Sequence, residues 1–320
     1  MKKNILLVLL LATQITFGTT LEDPISGYTF RKMRLSSYKE FCDACGCAAS
    51  GGSMGFSALM NPNFIGVRYF YQSYSSRDGI FDNSPWIKEH FNTLQIWSKI
   101  PVTQRLQVAV LLPYQFHNRE KITGVEAIKG LGDITVTGLY TAYQTHKDST
   151  ILVHKLQLGG GIKMPTGAFN ESNNAGNINQ SFQVGTGSWD FLLVTEYILK
   201  KGNLGMHTMG NYIFKTENRK QYQFGNQFNY GTTFFYLFNT TALQLIPQIG
   251  IAGEVYQTNK QYGMMLPNTA GSVLFSKMGF ELGKGSFSLG ANAMLPIQQH
   301  LANAKMEANY RWSIHLNYSL

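Results

Sequence analysis

The last eleven residues, YRWSIHLNYSL (310–320), decide how the rest of the chain is read. Tyr310, Trp312, Ile314, Leu316, Tyr318 and Leu320 alternate with Arg311, Ser313, His315, Asn317 and Ser319. Successive side chains of a strand point to opposite faces, so this segment predicts a strand with one apolar and one polar face. A half-buried strand in a soluble sheet alternates in the same way. What separates the two cases is whether the pattern recurs along the whole chain with no partner layer to cover it.

It recurs. Ile65, Val67, Tyr69 and Tyr71 oppose Gly66, Arg68, Phe70 and Gln72, and Leu106, Val108, Val110 and Leu112 oppose Gln107, Ala109, Leu111 and Pro113. Twelve such segments run at about 64–74, 92–102, 106–117, 133–145, 155–165, 188–200, 204–215, 222–237, 242–257, 271–283, 286–297 and 310–320. Each is near the 9–11 residues a tilted strand needs to cross a bilayer. The connections sort themselves too. Long ones (75–91, 118–132, 166–187, 216–221, 258–270, 298–309) alternate with short ones (103–105, 146–154, 201–203, 238–241, 284–285). Outer-membrane barrels have short periplasmic turns and longer outer loops. The fold class that follows is all-β: a transmembrane antiparallel β-barrel of about 12 strands over 64–320, with both chain termini on the periplasmic side.

Composition agrees. Aromatic residues make up 13% and glycines number 32, while charged residues are 14%, well under the roughly 25% of soluble domains. Aromatics such as Tyr140, Tyr143, Tyr212 and Phe214 sit toward strand ends, where interfacial girdles belong. At the N-terminus, Lys2 and Lys3 precede an apolar run over Ile5–Ala12, and small residues end at Gly18. That pattern predicts a signal peptide over 1–18 and hence export. The net charge of +9 forms no cluster of the kind that binds nucleic acid. The partners to expect are outer-membrane lipids, a small-molecule cargo and the barrel-assembly machinery. The sequence does not fix an oligomeric state.

Three motifs lie at strand edges: Gly130-Leu131-Gly132-Asp133, Pro165-Thr166-Gly167 after the glycine run 159–161, and Gly185-Thr186-Gly187-Ser188-Trp189-Asp190. In this order and spacing the chain resembles the outer-membrane channels of the phenol-degradation meta-pathway, over about residues 60–320. That family is distantly related to the long-chain fatty acid and aromatic-hydrocarbon transporters. The resemblance implies a channel passing small, often hydrophobic or aromatic, compounds by passive diffusion. The motif residues Gly130, Gly132, Asp133, Pro165, Thr166, Gly167, Gly185, Gly187 and Asp190 are expected to shape loop-to-strand junctions, a ligand-gating loop being the alternative. There glycine supplies positive φ, Asp accepts backbone N–H groups and Pro165 ends a ladder. The polar, glycine-rich loop 171–181 (ESNNAGNINQS) is expected to be mobile and exposed.

Parity turns Arg68, Lys99, Lys163, Glu196, His207, Glu254, Arg311 and His315 inward as channel-lining candidates. They either pair with one another, as in a polar barrel interior by default, or tune selectivity. No P-loop, HExxH or nucleophile-elbow motif is present, so an enzyme is not expected. Cys42, Cys45 and Cys47 lie in a segment, 19–63, that is either periplasmic or a plug. Three thiols in an oxidising compartment allow a disulfide with one left over. They also allow a soft metal, Cu or Zn, that would need a fourth ligand from elsewhere. No cofactor is otherwise called for. The alternative function is therefore a metal-binding or redox-sensitive envelope protein with the barrel as scaffold.

Overall fold

The computed structural model describes residues 63–77, 83–122, 124–145, 152–173, 176–240 and 243–320. The leader and the cysteine segment lie outside the described residues.

Twelve strands form the wall: β1 (Phe64–Arg77), β2 (Trp86–Pro101), β3 (Leu106–Lys121), β4 (Ile134–Gln144), β5 (Val153–Met164), β6 (Asp190–Lys201), β7 (Leu204–Phe214), β8 (Gln227–Tyr236), β9 (Gln244–Tyr256), β10 (Gly271–Lys284), β11 (Phe287–Leu301) and β12 (Met306–Ser319). Each pairs antiparallel with its sequence neighbours, and β12 returns to β1 in register from Phe64↔Ser319 to Ser76↔Met306. The barrel is closed, so no ladder edge is left to meet lipid, where unpaired backbone groups would cost several kcal/mol each.

The alternation has the direction that a lipid solvent requires. Ile65, Val67, Ile96, Leu193, Ile249, Ile251, Ile314 and Leu316 point out and are exposed, and among the described residues no second layer packs on them. Arg68, Gln95, Gln157, Gln248, Asn292 and Ser313 point in and are buried. Aromatic rings bound the apolar belt at both ends. Tyr71 stacks on Trp312 and tilts against Tyr310 toward the loop end, while Phe287 and Tyr318 meet edge-on at the turn end.

Two expectations about loops change. Segments 75–91 and 298–309 read as long loops, yet β1, β2, β3, β11 and β12 continue as strands beyond the belt. A ribbon at Gly124–Leu131 folds back on β3. These extensions stand in water, so both faces tolerate polar residues and the period-two signal fades there. The glycine run of β5 faces β4. A Cβ on Gly159 would lie 2.4 Å from the Gly138 carbonyl, and one on Gly161 would lie 2.6 Å from Thr137 Oγ1. The glycines therefore let the β4 backbone and side chains lie close across them.

Candidate functional site

Among the described residues, the lumen carries three groups of side chains.

At the mouth, the motif residues converge on one buried network. Asp133 immediately precedes β4, Lys163 is near the end of β5 and Asp190 opens β6. Lys163 Nζ lies 3.2 Å from Asp133 Oδ2 and 2.7 Å from Asp190 Oδ2. Asp133 also accepts from the Gly167 N–H at 3.0 Å and from Thr186 through its N–H (2.9 Å) and hydroxyl (2.6 Å). Asp190 accepts from Ser188 Oγ at 2.9 Å and from Lys215 Nζ at 3.1 Å. Burial, reinforced by the neighbouring Lys163 charge, lowers the Lys215 ammonium to about 8. Buried charges persist when each is paired and bonded, and here two carboxylates share two ammoniums.

The network pins both ends of the connection 165–189. Thr166 Oγ1 donates to the Gly132 carbonyl at 2.8 Å and accepts from the Ile134 N–H at 3.0 Å. Gly167 and Gly185 touch backbone to backbone: a Cβ on Gly185 would sit 2.4 Å from the Gly167 carbonyl oxygen. Of the motif glycines, only Gly187 takes positive φ (70°), with the Phe169 ring where its Cβ would be. For Gly130, Gly132, Gly167 and Gly185 the positive-φ expectation is corrected. Gly132, Gly167 and Gly185 serve close approach instead, and a Cβ on Gly130 would have only Val184 nearby, at 3.5 Å. Pro165 follows the last residue of β5, where the ladder stops.

Between its pinned ends the connection folds inward. After a small ribbon (Ser172–Asn173 with Gly176–Asn177), one 3₁₀ turn at Gln180–Phe182 is capped by the Asn179 side chain. Ile178, Ser181, Phe182 and Val184 are buried. The expectation of an exposed loop is thus overturned for its last third, because apolar side chains there find an apolar lumen. Phe182 and Val184 join Phe70, Tyr74, Phe91, Phe275 and Met294 in one cluster inside the barrel. Phe182 meets the Phe91 ring edge-on at 5.9 Å, and the Arg119 guanidinium lies 4.5 Å from its centroid.

Around this apolar block the interior is ionic and polar. Arg311 on β12 reaches Glu254 on β9 through two bonds of 2.7 and 2.8 Å, also meets the Tyr74 hydroxyl and lies over Phe275. Lys99 on β2 bonds Glu196 on β6 at 2.9 and 3.1 Å. Their strands are four apart round the wall, so this pair crosses the lumen as a chord. His207 on β7 approaches the same carboxylate at 3.7 Å. Arg68 bonds Gln95 and lies 4.3 Å from the Trp97 ring centroid. His315 stands 3.9 Å from Glu281, which accepts from Ser288 Oγ.

All eight inward candidates thus face the interior. The structure brings together Lys99 with Glu196 and His207, and Glu254 with Arg311. Lys163 belongs to the mouth network. Arg68 and His315 are cross-strand neighbours at the β1–β12 seam. Lys277, whose Nζ donates to Thr233 Oγ1 at 3.0 Å, and the aromatic block were missed. An inward parity position on β10 would have found Lys277, and Phe182-Gln183-Val184 within a polar loop would have hinted at the inward fold. Cys42, Cys45 and Cys47 lie outside the described residues, and among the described residues no group of three or more His, Cys, Asp or Glu is arranged to hold a metal.

The family model described as "Putative MetA-pathway of phenol degradation" matches residues 89–293, well over half of the chain. The chain belongs to that family. An outer membrane channel of Pseudomonas putida F1 superposes with a TM-score of 0.62 at 16% identity, covering 82% of this chain and 97% of that one. The β-domain of the Bordetella autotransporter BrkA follows at 0.48 and 10% identity, covering 81% and 100%. The monoaromatic hydrocarbon channel CymD gives 0.37 at 7% identity, covering 88% and 94%. A search of curated proteins finds no match. The Pseudomonas likeness shows the same barrel fold, and fold and family together place this protein in the outer membrane.

Proposed function

We propose that this protein is a passive outer-membrane channel for small, hydrophobic or aromatic molecules. The observation that carries the reading is a closed barrel whose interior, among the described residues, is crossed by side chains and the inward connection 165–189. The polar part of the lumen gives solutes hydrogen-bonding partners, and the apolar block selects against strongly hydrated ones. The family match and the printed title of the Pseudomonas structure, an outer membrane channel, support it. No energy-coupling element is evident in the sequence, so flux would follow the gradient.

The test is flux through purified, folded protein in liposomes, comparing phenol with a sugar of similar mass. Faster phenol equilibration than in protein-free vesicles, with a smaller gain for the sugar, is the expected result. Equal rates with and without protein for both solutes would sink the channel reading.

A further inference from the structure

Phe182 is an aromatic ring held as a guest. It is fully buried, yet it comes from a single 3₁₀ turn on a connection rather than from the wall. Its hosts stand on β2 and β3: Phe91 at 5.9 Å and 65°, His117 at 6.4 Å and 58°, and the Arg119 guanidinium 4.5 Å from the ring centroid.

The hosts are held in place by the wall without help from their guest. Phe91 is braced edge-on by Tyr74 at 5.8 Å and by His117 at 5.0 Å. His117 Nδ1 accepts from the Asn92 N–H at 3.2 Å, which leaves Nε2–H to donate to Gln115 Oε1 at 2.8 Å. Arg119 is bonded to Glu126 and lies 3.8 Å from Glu89. A cage of one edge-on ring, one tilted ring and a cation against the guest's face suits a neutral, electron-rich six-membered aromatic ring.

We propose that this cage is a binding site for monoaromatic solutes and that Phe182 occupies it in the solute's absence. A solute ring competes with Phe182, so binding and displacement of the connection from the lumen are one event. The proposal deepens the channel reading and rests on it for its purpose, but not for its measurement.

The experiment is equilibrium binding of phenol and of cyclohexanol, equal in size but without a π face, to detergent-solubilised full-length protein by calorimetry. Phe182→Ala is expected to bind phenol about tenfold more tightly than wild type, with a smaller gain for cyclohexanol. Adding Arg119→Met should erase the preference for phenol. Phe182→Leu, which keeps bulk without a ring, guards against a folding defect and should bind phenol between the two. Phenol affinity unchanged in both Phe182 variants, or cyclohexanol bound as tightly as phenol, overturns the proposal. Binding needs no membrane, so flux without binding sinks only the cage, and binding without flux sinks only the channel.

Discussion

Replacing Asp133 with alanine removes the group around which the outer mouth is organised. Its carboxylate accepts from the backbone N–H groups of Gly167 and Thr186 and from the Thr186 hydroxyl, and pairs with Lys163. The two N–H donors would be stranded at about 1–3 kcal/mol each, so on the order of 2–6 kcal/mol is lost from the pinning of the connection. Lys163 keeps Asp190 at 2.7 Å, so the cost of an unpaired buried ammonium is mostly avoided. The wall ladders of β4 and β5 involve none of these groups, and the barrel should fold. The connection 165–189 should then leave the lumen part of the time. Amide exchange over 176–189 is expected to accelerate by two orders of magnitude or more, and single-channel conductance should rise with increased flicker. Wild-type exchange protection in that segment, in a variant that folds, would refute the idea that Asp133 holds the connection down.

Other perturbations follow from the same geometry. Gly185→Ala places a methyl carbon against the Gly167 backbone, and should lower stability by about 1–3 kcal/mol in urea titration of liposome-refolded protein; an unchanged midpoint would contradict that contact. Glu196→Gln leaves Lys99 without its anion and should move the reversal potential in a salt gradient toward anion preference, whereas a shift toward cations would contradict the placement of that pair in the conducting path. Ile249→Lys puts a charge on the exposed outer face and should cost about 2–4 kcal/mol if the site is near the bilayer midplane, again by refolding in urea; a neutral effect would mean that this face does not meet lipid. Burial alone would raise the Glu126 carboxyl, but Arg119 and Lys121 outweigh it and hold the group below its ordinary value of 4.5. The stabilisation this gives is present above that value and lost as pH falls through the lowered one, so exchange in the ribbon 124–131 should quicken at pH 3 relative to neutral pH after correction for the intrinsic rate; equal protection at both would contradict the pairing.

The wall was legible because lipid outside and a polar lumen inside impose one rule on every strand. Positions such as 310–320 carry that rule residue by residue. Inward direction followed from parity alone. Which inward residues meet did not: Lys99 finds Glu196 four strands away through strand tilt and stagger, which no local pattern records. The fate of the connection 165–189 was hidden for a different reason. Its composition is that of an exposed loop, and Ile178, Phe182 and Val184 carry the apolar signal that the lumen satisfies. The motif glycines were visible as motifs, but the close Gly167–Gly185 contact is a tertiary fact.

The most direct test of the barrel is a nitroxide scan of residues 310–320, one engineered cysteine at a time with Cys42, Cys45 and Cys47 replaced by serine, reconstituted in bilayers. Oxygen accessibility should peak at 312, 314, 316 and 318 and fall at 311, 313, 315 and 317. A flat profile, or a period near 3.6, would mean that this segment is not a strand with one side in lipid, and the channel would go with it.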